Sequence, residues 1–272
     1  MSHSTPPKKN SQSYTHTTAT DQLSDSSAHS SITSSTCKNP SPKTLSKARP
    51  KLKALLRTTH FYSRPTLSNQ FKTHILPILE TSTSAIYHAT TTALQPIDNL
   101  QLTFLHATDL TSSQAFLDHN FAPTNLRRDI AMLGLLHKIA LQQAHPDLLA
   151  LIPPATATPH SHETRLATKR HNKQLHEHCD GTHTELMARS IFALTTIYNK
   201  LPQHVVDAKT TSTFQSKLTS AARTQCKLDI PHWDKTFSPR NPSTVHFHDL
   251  TFPRTIQPSQ KNKRHQPTKY QP

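Results

Sequence analysis

A chain of 272 residues can hold one large or two small domains, yet only 33% of it is hydrophobic and Ser, Thr, Pro, His and Gln crowd both ends, so one central domain between polar ends is expected. The formal net charge of +15 and a pI near 9.9 make the molecule a polycation, which favours phosphate-rich partners or acidic surfaces without choosing between them. Two glycines against 21 prolines count against a hairpin-rich β fold and exclude the Gly-rich phosphate loops of dinucleotide and P-loop sites.

Residues 1–42 are Ser/Thr/Pro-rich with hardly an apolar residue besides Leu23 and Ile32, too few to offset the entropy of ordering them, and are expected to be disordered. Helical text then runs over residues 43–152. It opens with a basic helix over 47–57, with Pro50 in its first turn and Leu52, Leu55 and Leu56 on one face. Leu67, Phe71, Ile75, Ile78 and Leu79 predict a helix over 66–80 that Pro77 kinks or ends. A helix over 85–94 follows, then one from Pro96 that puts Ile97, Leu100, Phe104 and Leu105 on a shared face. Ser112 or Ser113 is expected to cap a short helix with Phe116 and Leu117.

The strongest pattern covers 122–141. Pro123 and Asn125 open it, and Ile130, Leu133, Leu136 and Ile139 recur with Met132 and Leu135 at three- and four-residue spacing, the mark of a buried helix. Arg127 and Arg128 sit in its first turn, where the helix dipole disfavours cations, so a partner elsewhere is expected, carboxylate or phosphate. One or two turns from Pro146 come next, before a His-rich loop over 153–184. Helices resume over 185–228, and residues 229–272 read as a basic, largely disordered tail in which Trp233 and Phe237 show no sustained period. The expected fold is mainly α, an irregular helical domain with disordered termini and a long loop.

Several segments, in order, resemble the helical region that follows the palm in non-LTR, LINE-like retrotransposon reverse transcriptases. The matching text is Gln70-Phe71-Lys72, Ile75-Leu76-Pro77-Ile78-Leu79-Glu80, Ala85-Ile86-Tyr87-His88-Ala89, Ile97-Asp98-Asn99-Leu100-Gln101 and Leu126-Arg127-Arg128-Asp129-Ile130-Ala131-Met132-Leu133-Gly134. It continues past the His-rich loop with Tyr198-Asn199-Lys200-Leu201-Pro202 and Phe214-Gln215. Thr81-Ser82 stands where the family commonly has an aromatic and a glycine, and the chain has no Asp-Asp pair. The resemblance therefore implies a remnant of a transposable element, without the carboxylates of two-metal nucleotidyl transfer and without enzymatic activity. Scarce Gly, Val, Glu and Trp beside abundant Thr, His, Gln, Lys and Ser match coding-strand G-to-A change in such an element.

Arg49, Lys51, Lys53 and Arg57 are the first candidates for phosphate contacts with RNA or DNA, followed by Arg127 and Arg128. Phe61-Tyr62 between Arg57 and Arg64 could stack on bases, although aromatics in helical proteins more often fill the core. His176, His178, Cys179 and His183 are zinc-ligand types at spacing that fits no zinc pattern well, so no cofactor is expected. Three cysteines at unrelated spacings, no apolar leader and no apolar run near the roughly 20 residues that span a bilayer argue for an intracellular protein, cytoplasmic or nuclear, not secreted, with no membrane contact. The competing function is a helical protein–protein interaction module with no nucleic-acid role. The sequence sets no oligomeric state.

Overall fold

Wherever the apolar spacing is sustained the chain is helical, and the computed structural model, which describes residues 42–155, 171–178 and 185–240, is a mainly α, irregular assembly. The first half holds α1 (Pro42–Leu56), α2 (Arg64–His74), α3 (Leu76–Glu80), α4 (Thr83–Ile86), α5 (Thr91–Ala107), α6 (Ser112–His119), α7 (Thr124–Ala140) and α8 (Pro146–Leu151). The second half holds α9 (Glu185–Ala188), α10 (Ile191–Asn199), α11 (Gln203–Val206), α12 (Thr211–Lys227) and a 3₁₀ turn at Trp233–Lys235. The expected disorder of the N-terminal segment, the end of the C-terminal tail, and residues 156–170 and 179–184 of the His-rich loop concerns residues outside those described. Among the described residues no helix is long and apolar enough to cross a membrane.

Two apolar clusters carry the packing. One gathers α1, α2, α3 and α5 around Phe71, Phe104 and Phe121, whose ring centroids lie 4.7 to 5.9 Å apart in tilted and edge geometries. The other forms around α7, α10 and α12, with Leu133, Leu136, Tyr198, Phe214 and Leu218 at its centre. Gly134 lies where α7 meets α12: a Cβ there would come within 2.3 Å of Gln215 Nε2 and 3.0 Å of Thr211 Cγ2. The buried stripe read over 122–141 is this central helix.

Several local expectations are corrected. The basic helix begins at Pro42, so Pro50 lies inside it; Ser46 and Pro50 are both exposed, and the carbonyl that Pro50 leaves without a donor is open to water. Helix α5 likewise runs through Pro96, because Leu94 and Ile97 on either side bury against one face and Thr90 caps the start, accepting from Ala93 N–H. The cap of α6 is Thr111 rather than Ser112 or Ser113, and Gln114 answers it in a capping box. Pro77 does end a helix: α2 stops at His74, and α3 starts with Pro77 in its first turn.

Two regions assigned to loop or tail are partly packed. In the His-rich segment, Leu175 is buried, bridges Pro154, and has both its backbone groups bonded by the Asn199 amide at 2.8 and 2.9 Å. His171 is buried beside it and pairs with the Tyr198 carbonyl. Past residue 228 the folded chain continues to Arg240: Trp233 stacks on Phe116 at 5.2 Å and Phe237 is fully buried. Short-range periodicity cannot reveal such docking, since these residues pack from irregular backbone.

Candidate nucleic-acid interface

The inner face of α1 is fixed by Ala48 and Leu52, both buried, with Leu45, Leu55 and Leu56 packed beside them. At 3.6 residues per turn the opposite side must carry two rows at four-residue spacing, Lys43–Lys47–Lys51 and Arg49–Lys53, the second continued by Arg57, the first residue past the helix, and all six side chains are exposed. Neighbours within a row stand about 6 Å apart along the axis. No Asp or Glu occurs between residues 42 and 57, and none of the six makes an ion pair with another described residue. Like charges four residues apart each cost a helix a few tenths of a kcal/mol, about 0.2–0.5. Packing of the inner face bears that cost, and a polyanion laid along the rows relieves it.

Beyond α1 the chain turns back through residues 57–63. The turn is held by Thr58 N–H to the Leu55 carbonyl at 3.0 Å, Thr58 Oγ1 to the same carbonyl at 2.7 Å, and Phe61 N–H to the Thr58 carbonyl at 3.0 Å. At its crest Phe61 is 81% exposed and Tyr62 54% exposed, which corrects the expectation that they belong to the core. Tyr62 and Lys51 line an open groove of about 420 Å³ together with Leu55, Gln70, His74 and the buried Ile75. Arg64 is engaged in an exposed pair with Asp109 at 2.9 Å.

Arg127 and Arg128 are not part of this face. Arg127 grips Glu80 through Nε and Nη2 at 2.5 and 3.1 Å. Arg128, buried, holds both oxygens of Asp98 at 2.7 and 2.9 Å. Each guanidinium forms a bidentate carboxylate pair, so of the two partners expected for these arginines, carboxylate or phosphate, the fold supplies a carboxylate to both. Asp98 also accepts from the Thr124 hydroxyl, and Gln101 bridges the Ala122 carbonyl and the Thr124 N–H, which together stitch α5 to the start of α7.

Next to this stitch lies Asp129, buried and accepting from the Tyr87 hydroxyl at 2.7 Å, with an Arg240 guanidinium nitrogen 4.0 Å away. Burial raises its carboxyl to about 7, against the opposing pull of the Tyr87 hydrogen bond, Arg240 and Arg128. Arg240 also donates to the Tyr87 carbonyl and lies over the Tyr87 ring at 4.9 Å. A cleft of about 600 Å³ opens here, lined by Asp98, Arg128, Asp129, Asp234, Lys235 and Arg240. Carboxylates and cations stand together in it, so it lacks the single-signed field of α1.

Of the zinc-ligand candidates, His176 and His178 are described and their rings meet edge to face at 4.9 Å, whereas Cys179 and His183 lie outside the described residues. Among the described residues no group of three or more His, Cys, Asp or Glu side chains could hold a metal ion. The structure thus gathers Arg49, Lys51, Lys53 and Arg57 on one face and adds Lys43 and Lys47, which continued four-residue spacing would have supplied. Comparison with protein-family models, curated proteins and solved structures finds no match for the chain.

Proposed function

We propose that this protein is a non-catalytic nucleic-acid-binding helical domain, a remnant of the post-palm region of a non-LTR retrotransposon reverse transcriptase, which holds RNA or DNA by phosphate contacts without reading sequence. One observation carries the binding: five exposed cations in two rows on α1, the second row continued by Arg57 just past its end, with no acidic residue along this stretch. Phosphate contacts release condensed counterions and carry no base information, so affinity is expected to depend on salt and not on sequence. The descent rests on the order of the matching segments, and the lack of an Asp-Asp pair argues against polymerase chemistry.

The test is fluorescence anisotropy of a labelled single strand across a salt series. With four contacts at about 0.7 counterions each, log K should fall against log salt with a slope near −3. The combined variant R49Q/K51Q/K53Q/R57Q should flatten that slope and weaken all sequences alike. Binding that ignores salt, or a variant with the parent's slope, would contradict the proposal and favour protein–protein interaction through helical faces.

A further inference from the structure

The ligand of a basic helix is any polyanion, but the turn that follows α1 narrows the class. Resting on the nucleic-acid reading above, we infer that Phe61 and Tyr62 form a stacking platform for unpaired bases, so that the bound species is single-stranded. Two consecutive aromatic side chains this exposed lose favourable burial in water, and nothing else in the described fold covers them. The turn beneath them is not slack: the Thr58 and Thr59 hydroxyls bond back to the Leu55 and Leu56 carbonyls at 2.7 and 3.0 Å, tying the crest to the last turn of α1. Arg57 stands at the foot of the crest, and Lys51 and Tyr62 line the same groove. A strand whose phosphates follow the α1 rows therefore brings its bases to the aromatic crest.

The groove suits the same occupant. Its lining combines apolar Leu55 and Ile75 with the Gln70 amide and the His74 ring, and its volume lies within the range of small-molecule pockets. A second copy of this chain would set its own cations against the basic rows of α1 and Arg57, so the surrounding charge selects an anionic partner. A duplex satisfies the charge but keeps its base faces sealed in the stack. A single strand satisfies both features, as combined basic and aromatic surfaces do in sequence-tolerant single-strand binders.

The experiment measures, for the full chain, the affinity for a single-stranded 12-mer, the same strand made abasic, and the corresponding duplex. Phe61→Ala/Tyr62→Ala should weaken the single strand about tenfold or more while leaving the abasic strand, the duplex and the salt slope unchanged. Both residues are exposed, so unchanged circular dichroism is expected of the variant. Independently, Phe61→Trp adds an exposed indole to a chain whose one other tryptophan is buried, and its fluorescence should be quenched by the base-bearing single strand but not by the abasic strand or the duplex. Equal losses on all three ligands, no loss on the single strand, or no selective quenching would overturn the platform and leave phosphate binding by α1 standing. If the parent protein binds none of the three, both proposals fall.

Discussion

Asp129→Asn tests the buried seam through its pH dependence. In the unfolded chain this carboxyl has the ordinary value of 3.8, and in the fold burial lifts it to about 7. Below 3.8 both states hold the proton; between 3.8 and 7 the unfolded chain has released it and the fold has not, so stability falls as pH rises through that window and the loss is complete above about 7. Retaining a proton across roughly three pH units corresponds to about 4 kcal/mol, a value that already contains the weaker opposing pull of Arg240 and Arg128. Asparagine keeps the oxygen that accepts from Tyr87 and never ionises, so the loss disappears. Urea unfolding of parent and variant from pH 4 to 8.5 gives the difference directly, and titrations common to both proteins cancel in it. The variant's advantage should be small near pH 4, rise through the window, and level off above pH 7 at several kcal/mol. A difference independent of pH, or an asparagine variant less stable than the parent at pH 8, would refute the reasoning and mean that the arginines hold Asp129 as an anion.

Three further substitutions probe other parts of the fold. Arg128→Leu should cost about 3–5 kcal/mol, because it leaves Asp98 partly buried without its cation, whereas Arg127→Gln should cost under about 1 kcal/mol at its one-third-exposed pair; urea midpoints decide, and neither change should alter nucleic-acid affinity. Trp233→Ala should cost about 3 kcal/mol by removing the ring stacked on Phe116, and a parent-like thermal midpoint would place residues 229–240 outside the cooperative unit. Burial lowers the pKa of His137 and His171, so as pH falls below about 6.5 the unfolded chain takes up protons first and stability is lost. His137→Gln should shallow that acid limb in a urea series, and an unchanged limb would assign it to other groups.

What the sequence made legible was whatever depends on neighbours a few residues apart. Helices α7 and α12 follow from apolar spacing alone, and Pro77 marks a true break. Pro50 and Pro96 misled because the cost of an interior proline is local, while the face buried on either side of it is tertiary. The misplaced charge of Arg127 and Arg128 in a helix's first turn did signal distant partners. Their identities, Glu80 and Asp98, lie 47 and 30 residues away, and no local rule reaches that far. Trp233, Phe237 and Leu175 stayed hidden for the same reason: they enter the core from backbone without a period. The exposed basic rows were legible because charge without nearby acid needs no fold to be seen. The exposure of Phe61 and Tyr62 was not, since such an aromatic pair in helical text more often reads as core.

The claim on which the functional account stands is that α1 is where nucleic acid binds. Lysine-reactivity footprinting, with an amine-acylating reagent and mass spectrometry of the full chain with and without a single-stranded oligonucleotide, addresses it residue by residue. Protection should be strongest at Lys43, Lys47, Lys51 and Lys53, near-absent at exposed lysines elsewhere such as Lys138 and Lys227, and should fade as salt is raised. Protection confined to the lysines of the basic tail, Lys261, Lys263 and Lys269, with α1 as reactive as in the free protein, would contradict it.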